Sequence, residues 1–330
     1  MEIAKALILT GQGIDDPPWP NAPAGPRQLF PVANRPILFH SLEALRAAGI
    51  LEATILADGP SQSAIRAAIG HGRPWGITIR YAEWTAAGGI AGALAAGREF
   101  LGGEPVLVQE GGALLRDRLH GHISAFARER LDALALRLSE PAAVLRHSTP
   151  GYLLSARAVS ILLDGPDAEA NPVAGVEAQG GRVRIQAVDG CLPCRGDQDV
   201  LLESNRRMLE QHLKPTDPGA LSATNKVQGR VEVHPTAEIH RSVLRGPLII
   251  GPGTRVNEAY IGPYTSIGSG VVIEGTEIEH SIVLPDAQLR FVGARLESSV
   301  IGRGARVVRG FHVPSALRMS LGDGAEVHLR

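Results

Sequence analysis

The sequence predicts two folded parts in one chain, a doubly wound α/β domain and a left-handed parallel β-helix. In the first two thirds, short apolar runs alternate with amphipathic helical patterns, as in a parallel sheet covered by helices on both faces. In the last third, aliphatic residues recur at intervals of 17 positions, which indicates a repeat architecture. A Pro- and Gly-rich stretch separates the two patterns. We therefore predict an α/β domain over residues 1–213, a linker over 214–229 and a β-helix over 230–330.

The α/β elements are predicted in chain order from apolar runs and from the residues that end them. Strands are expected over residues 6–9, 53–57, 77–83, 105–110, 131–138, 151–155 and 183–188. Helices are expected over residues 36–49, 61–69, 89–100, 117–130 and 200–213. Ligands of such folds bind beyond the carboxyl ends of the strands. The first strand ends at Gly11-Gln12-Gly13, where glycines would let backbone N–H groups approach a phosphate, although this motif is a weak signal by itself.

The β-helix is predicted by counting along the chain. The residues that head successive turns, each 17 positions apart, are Val233, Ile250, Ile267, Leu284 and Ile301. Within a turn the aliphatic residues fall at steps of six, six and five, which predicts three short faces per coil and the hexapeptide signature. The fourth coil slips, because Arg290 and Arg295 fall where apolar residues are due. Leu289 and Leu296 stand beside them.

The composition of the chain argues against some classes of function. The chain has 330 residues, of which 44% are hydrophobic, so it can bury a large core. Its net charge of −1 favours neither nucleic acid nor an anionic membrane as a partner. No apolar run approaches the roughly 20 residues of a membrane span, and the N-terminus leads into a strand without a signal-peptide pattern. We expect a cytoplasmic protein.

Three stretches carry a resemblance to a known family. They are PVANRPILFHSLEALRAAGI near the N-terminus, DVLLESNR in the last predicted α/β helix, and EAYIGPYTSIGSGVVIEGTEIEHSIV in the repeat region. The chain resembles the sugar-phosphate nucleotidylyltransferases, in particular the long-form glucose-1-phosphate thymidylyltransferases. The resemblance implies a glycine loop around nucleotide phosphates and a nucleotide or sugar phosphate as ligand. The ligand-binding positions that it implies are Gly11, Gln12, Gly13, Arg27, Gln28, Gly89, Gly111 and Gly112.

The same comparison of motifs shows which chemical groups differ. In the family an Arg of the glycine loop, a Lys, two Asp residues that bind metal and a second Lys act on the phosphates. The matching or nearest residues here are Ile14-Asp15-Asp16, Arg27, Gly112, Cys194 and Ser139-Glu140-Pro141. Roughly thirty residues of the family's sugar-binding lobe are also missing on its length scale. Five changes at one site predict that the ancestral reaction has been lost.

Other chemistry in the same pocket has its own candidates. The candidate catalytic residues are Glu110, Asp15, Asp16, Cys194, His120 and His122. Cys191 and Cys194, with the two histidines, could form a zinc site or a redox dithiol. A lone Cys-x-x-Cys is a weak signal, and two packed thiols are the simpler interpretation. Asp-Asp-Pro-Pro is likewise typical of a solvated turn. We expect no bound metal or other cofactor, and Mg²⁺ only if nucleotidyl transfer is retained.

The sequence leaves three functions open. The first is a ligand-binding, regulatory or scaffold homologue that no longer transfers nucleotides. The alternative is an enzyme with a different reaction in the remodelled pocket, and the second alternative is an active sugar-1-phosphate nucleotidylyltransferase. We expect a homo-oligomer, or a hetero-oligomer with an active paralogue. The flat faces of the β-helix should bury themselves against a neighbour or against the chain's own α/β domain.

Overall fold

A computed structural model describes residues 3–11, 25–115, 118–139, 149–164, 172–195, 197–217, 219 and 221–309. The strands of its α/β part are β1 (Lys5–Leu9), β2 (Pro31–Val32), β3 (Arg35–Pro36), β4 (Glu52–Ala57), β5 (Thr78–Glu83), β6 (Val106–Glu110), β7 (Leu114–Leu115), β8 (Ala133–Leu138), β9 (Gly151–Leu154), β10 (Val183–Val188) and β11 (Gly190–Cys191). Its helices are α1 (Ile37–Ala47), α2 (Gly59–Ile69), α3 (Gly89–Ala96), α4 (Arg98–Leu101), α5 (Leu119–Arg128), α6 (Ala156–Asp164), α7 (Pro172–Ala178) and α8 (Gln198–His212).

Seven of these strands form one sheet in the order β10-β8-β9-β6-β1-β4-β5. All neighbours are parallel except β9, which runs antiparallel to both β6 and β8. From β1 the chain adds β4 and then β5 on one side of that strand. It then adds β6 on the other side of β1. The point at which strand order reverses therefore lies between β1 and β6, where ligands of open α/β sheets bind. The predicted α/β fold is confirmed.

Two features of this part differ from the prediction. The helix expected over residues 89–100 is two helices, α3 and α4, which meet at Gly97. A methyl group on Gly97 would lie 2.7 Å from Cδ2 of Leu7, so the chain needs glycine where the helix crosses the sheet. Helices α6 and α7 were not expected. Both are short, and short apolar runs fit helix and strand patterns about equally well.

The repeat region forms three parallel five-stranded sheets. The first contains β12 (Lys226–Gln228), β15 (Val243–Arg245), β18 (Tyr260–Ile261), β21 (Glu277–Glu279) and β24 (Leu296–Glu297). The second contains β13 (Val231–Val233), β16 (Leu248–Ile250), β19 (Thr265–Ile267), β22 (Ile282–Val283) and β25 (Val300–Ile301). The third contains β14 (Glu238–His240), β17 (Arg255–Asn257), β20 (Val272–Glu274), β23 (Gln288–Arg290) and β26 (Arg306–Val308). This arrangement confirms a parallel β-helix.

The fourth coil departs from the regular spacing of the apolar residues, as expected. The departure begins one residue earlier in the chain than the sequence analysis placed it. Leu289 pairs with Ile273 and Leu296 with Ile278, so both fill the apolar rows. Ile267 pairs with Val283, so the prediction that Leu284 heads the coil was wrong. A one-residue shift turns a side chain to the opposite face of its strand. Leu284 accordingly joins an apolar cluster outside the β-helix.

That cluster lies between the β-helix and α8. It contains the side chains of Phe30, Val32 and Ile37 from the N-terminal region, Leu201, Met208 and Leu209 from α8, and Ile282 and Leu284 from the β-helix. One face of the β-helix is thus buried against the chain's own α/β part, which is one of the two outcomes expected for it.

A fully buried amide fixes this contact. The Asn205 carboxamide accepts hydrogen bonds from the Ala33 backbone N–H (2.9 Å) and the Ser266 hydroxyl (2.6 Å), and it donates to the Tyr264 carbonyl (3.1 Å). The Asn34 side chain donates to the Ile267 carbonyl at 2.6 Å. Ala33 (φ 49°) and Asn34 (φ 60°) are both left-handed and form the turn between β2 and β3. Asn205 therefore joins α8, this turn and the β-helix.

Across the described part of the chain, no helix combines the length and hydropathy that a membrane crossing requires.

Candidate ligand site at the carboxyl edge of the sheet

Two turns lie side by side at the carboxyl ends of β1 and β6. Thr10 follows β1, and both its backbone N–H (2.9 Å) and its hydroxyl (2.8 Å) donate to the Leu56 carbonyl of β4. Gly111 follows β6 and its N–H donates to the Leu9 carbonyl at 2.7 Å. A methyl group on Gly111 would lie 2.8 Å from Cγ2 of Thr10. Main-chain contacts therefore hold the two turns together at the point where a ligand is expected.

Gly112 lies directly against Cys194. A methyl group on Gly112 would be 2.6 Å from Sγ and 2.7 Å from Cβ of Cys194. The Cys194 residue is only 6% exposed. The resemblance described above aligns these two positions with the family's metal-binding aspartates. Here the cysteine side chain fills the space in front of the glycine.

Arg27, the cation that stands in place of the family's lysine, holds the Cys194 segment. Its Nη1 donates to the Cys194 carbonyl at 2.9 Å, and the residue is 6% exposed. Its neighbour Gln28 is also buried. The guanidinium thus stabilises the turn of residues Pro193–Arg195 from inside the protein. Because the Arg27 guanidinium donates to this carbonyl, it is less available to bind a phosphate.

Cys191 and Cys194 form no disulfide, and both side chains lie in the apolar cluster beside α8. Burial raises the pKa of Cys191 to about 11. The Ser204 hydroxyl, which donates to this thiol, lies 3.1 Å from its sulfur. A protonated, buried thiol is a poor nucleophile and a poor metal ligand.

The two candidate histidines lie on α5, where His120 is exposed and His122 is half-buried. Among the residues that the structure describes, no group of three or more His, Cys, Asp or Glu side chains is placed to hold a metal ion. The described residues therefore do not form the zinc site considered for Cys191, Cys194 and this histidine pair.

Two more of the candidates, Glu110 and Gly89, lie in described segments at or after the ends of β6 and β5. Glu110 is half-buried at the end of β6, and its N–H donates to the Pro150 carbonyl at 2.9 Å. Gly89 begins α3. The residues for which the structure gives no placement are Gln12, Gly13, Asp15 and Asp16, which lie outside the described ranges.

Sequence reasoning missed Trp84, which follows β5 and reaches back to the turn after β1. A methyl group on Gly11 would lie 3.0 Å from Cζ3 of its indole. The indole N–H donates to the Gly89 carbonyl at 3.2 Å, and the residue is 8% exposed. No local pattern indicated this role, because the contact depends on glycines in separate segments. Cys194 thus lies at the carboxyl edge beside β6, and Trp84 lies on the β4 and β5 side.

Comparison with known proteins identifies the class. Residues 5–142 match the nucleotidyl transferase family. A glucose-1-phosphate thymidylyltransferase from Streptomyces griseus is 32% identical, in an alignment that takes in 98% of this chain and 99% of the relative. The chain therefore belongs to the nucleotidyl transferase family.

Further relatives place it more closely. A glucose-1-phosphate thymidylyltransferase from Streptomyces antibioticus is 29% identical, over 99% of each chain. A low-salt glycan biosynthesis nucleotidyltransferase from Haloferax volcanii is 25% identical, over 98% of this chain and 100% of the relative. This chain is a full-length homologue of glucose-1-phosphate thymidylyltransferases. The alignment with the S. griseus protein spans 357 positions against 330 residues here, so the relative contains segments that this chain lacks.

A solved structure shows the same fold at lower similarity. It is a Bacillus anthracis protein assigned as a glucose-1-phosphate thymidylyltransferase, crystallised in complex with sucrose. The match has a TM-score of 0.54 and 18% identity, and covers 64% of this chain and 97% of that one. It supports the fold alone.

The contact between Gly112 and Cys194 can be tested through stability. Gly112→Ala is expected to lower the free energy of unfolding by about 1–3 kcal/mol, because the added methyl overlaps the thiol and its Cβ. In a Cys194→Gly background the same substitution should cost under about 0.5 kcal/mol, since the obstructing atoms are gone. Chemical denaturation of the four proteins of this cycle measures the coupling. Additive effects would show that the two residues do not touch.

Proposed function

We propose that this chain is a nucleotidyl transferase homologue that has lost sugar-1-phosphate nucleotidyl transfer and acts as a ligand-binding, regulatory or scaffold protein. The observation that carries the proposal is the contact of Cys194 with Gly112. Where the resembled family has two carboxylates, this chain has the hydrogen atom of a glycine and a buried thiol. The thiol leaves no room for a side chain on Gly112.

The chemical argument starts from the charge of the reaction. Nucleotidyl transfer has a highly anionic transition state, which metal ions and cationic side chains stabilise. Mg²⁺ takes oxygen ligands, usually carboxylates and waters. The side chains present at this position do not fit that ion, because Gly112 has no side-chain ligand atom and the Cys194 side chain offers a buried sulfur. Arg27 contributes its Nη1 to a backbone carbonyl.

Pyrophosphate release tests the proposal. With Mg²⁺, deoxythymidine triphosphate and glucose 1-phosphate, the protein should release none above background. Loss of a single transition-state contact costs on the order of 3 kcal/mol, or a hundredfold or more in rate, and several contacts differ here. The S. griseus relative provides a positive control. Asp introduced together at Gly112 and Cys194 should not restore release, since the two side chains would compete for one space.

Robust turnover by the unmodified protein, with any common nucleoside triphosphate and sugar 1-phosphate, would overturn this proposal. It would indicate that Glu110, Asp15 or Asp16 has rebuilt a metal site.

We also propose that the chain works in an assembly, either with copies of itself or with an active paralogue. The support is structural: α8 covers one face of the β-helix, and the apolar cluster and Asn205 hold the two parts in a fixed arrangement. Such a unit can present the two other sheet faces to a partner. Light scattering measures the molar mass of the purified protein alone and mixed with an active paralogue, where the same genome encodes one. A monomer in both conditions would contradict the scaffold role.

A further inference from the structure

Helix α8 covers the second sheet of the β-helix, and the other two sheet faces differ in how their charges are arranged. Each of the five coils adds one strand to each sheet. In the first sheet the middle residue of a strand lies in the β-helix core, as Leu244 and Ile278 do, so the residues beside it point outward. These outward side chains, together with Arg295 just before β24, form a surface that we call the first-sheet face.

The charges of the first-sheet face separate along the array. Lys226 and Arg245 bring two positive charges to the first two coils, and both side chains are exposed. The third coil contributes Tyr260 and Gly262, which carry no charge. The last two coils contribute three carboxylates and one guanidinium, which give a net charge of −2. These four residues are Glu277, Glu279, Arg295 and Glu297.

Only part of this charge is neutralised within the chain. The Arg295 guanidinium lies 3.1 Å from the Glu277 carboxylate and 3.2 Å from that of Glu279, so one cation serves two anions. Lys226 and Arg245 form no ion pair with any residue that the structure describes. Opposite charges are therefore left over at opposite ends of one face. Such a face is complementary to a second copy of itself that runs in the opposite direction.

The uncharged centre of the face is flat and aromatic. A methyl group on Gly262 would lie 3.0 Å from Cε1 of the Tyr260 ring and 2.6 Å from Cβ of Glu279, so these two side chains lie over the glycine. The Arg295 guanidinium is 5.2 Å from the centroid of the same ring. The Tyr260 residue is half-buried in the chain. A tyrosine at the centre with charged residues around it is typical of protein–protein interfaces.

The face of the third sheet lacks this separation of charge. One charged residue lies on each coil, and the signs alternate over the first four coils. They are, in coil order, Glu238, Arg255, Glu274, Arg290 and Arg306. Paired with an antiparallel copy, this face would set Arg255 against Arg290 and Glu274 against itself. Like charges placed opposite one another oppose association, so the first-sheet face is the one that suits self-pairing.

We propose that the first-sheet face is an interface between two copies of this chain, related by a two-fold axis that passes through the third coil parallel to its strands. The two arrays are antiparallel, so the second coil of one copy meets the fourth coil of the other. Arg245 then faces Glu279 of the second copy, and the two Tyr260 rings meet at the axis. Each contact away from the axis occurs twice. The inference rests on the proposed function, within which it selects the face and the partner.

Salt dependence is the first test. The face spans only five strands about 4.8 Å apart, so we expect a weak dimer in which the exposed charges matter. Light scattering of the unmodified protein, over about 1–200 μM, should approach the mass of two chains in about 50 mM NaCl. In about 1 M NaCl, where the Debye length is about 3 Å, it should approach that of one chain. A mass of three chains, or a dimer that salt does not weaken, would overturn the inference.

Reversal of charge in pairs is the sharper test. Lys226→Glu with Arg245→Glu makes both halves of the face negative, and Glu277→Lys with Glu279→Lys makes both halves positive. Each double variant should be monomeric by itself in about 50 mM NaCl, because like charges then meet. An equimolar mixture of the two variants should recover the mass of two chains, since a negative face meets a positive one.

A variant at the centre and a matched control complete the set. Tyr260→Ala should raise the Kd of the dimer at least about tenfold, as truncation of a central aromatic residue does at other interfaces. Arg290→Glu with Arg306→Glu reverses two charges on the third sheet and should leave the mass unchanged. Circular dichroism checks that each variant is folded. If the lysine variant does not fold because Arg295 has lost both its partners, the glutamate variant and Tyr260→Ala decide.

The outcomes separate this inference from the proposed function. A dimer that persists in the glutamate variant and in Tyr260→Ala would overturn the inference alone, since the copies would associate through another surface. A monomer at every salt and protein concentration would overturn the inference together with self-association. Association with an active paralogue would then be the assembly that the proposed function still requires. Pyrophosphate release is not measured in any of these experiments, so the proposed loss of transfer is tested separately.

Discussion

Replacing Asn205 by leucine is expected to lower the free energy of unfolding by about 3–5 kcal/mol. Leucine has nearly the same shape, so the loss comes from hydrogen bonding. The substitution leaves the Ala33 N–H, the Ser266 hydroxyl and the Tyr264 carbonyl without the partner that each has now. Ala33 has a left-handed backbone (φ 49°), an unfavourable conformation for alanine that this bond helps to hold. Chemical denaturation followed by circular dichroism measures the change.

Two further variants make that measurement specific. Gln211→Leu, at an exposed position of α8, should change stability by less than about 0.5 kcal/mol. Asn205→Asp keeps both acceptor bonds but loses the donor and buries a charge. Its deficit relative to the unmodified protein should shrink at acidic pH, where a protonated carboxyl can donate to the Tyr264 carbonyl. A cost below about 1 kcal/mol for Asn205→Leu would show that the amide does not fix the junction.

Stability is also expected to fall by about 3 kcal/mol between pH 7 and pH 4 because of His40. Burial lowers the pKa of His40 from 6.5 to about 4, aided by Arg35 and His212 and opposed by the Val32 carbonyl and Glu43. Between these two values the unfolded chain binds a proton that the folded protein does not. Stability from this group is therefore present above pH 6.5 and is lost as the pH falls toward 4.

The His40→Gln variant identifies the source of this pH dependence. It removes the titrating group, so its unfolding free energy should change between pH 7 and pH 4 by about 3 kcal/mol less than that of the unmodified protein. His212→Gln is the matched comparison, because the two rings lie 5.9 Å apart and burial lowers the pKa of His212 as well. His212 is the more exposed of the two, so its replacement should have the smaller effect. An unchanged pH profile in His40→Gln would rule His40 out.

The fold could be predicted because its signals are local and periodic. Apolar runs such as Ala6 to Leu9 fall on strands, and the apolar rows of the β-helix repeat within each coil. The wrong prediction for Leu284 shows what residue spacing alone does not determine. A shift of one residue becomes evident only from the pairing of the strands. The division of the chain at residues 213 and 230 and the hexapeptide pattern stay predictions.

The candidate site was predictable only in part. Motif positions indicated that Gly112 and Cys194 belong to one site, and the structure places them in contact. Trp84 and Asn205 were missed for a common reason. Each contacts segments that are far away in the chain. The indole packs against glycines of other segments, and the amide bonds to a turn and to a coil of the β-helix. No periodicity within a single element encodes such a match.

The Asn205 junction also affects how the β-helix comes apart. In a solenoid each coil touches only its neighbours, so an unsupported array frays from its ends. Here Tyr264, Ser266 and Ile267, which bond to Asn205 and Asn34, all belong to the third of the five coils. Helix α8 also reaches coils on either side of this one: Ile282 and Leu284 of the fourth coil pack in its apolar cluster, the Arg230 guanidinium of the first coil donates to the Glu210 carbonyl, and Gln198 donates to the Ser298 carbonyl of the fifth. The α/β part therefore acts as a lateral brace along the array, which opposes fraying from both ends.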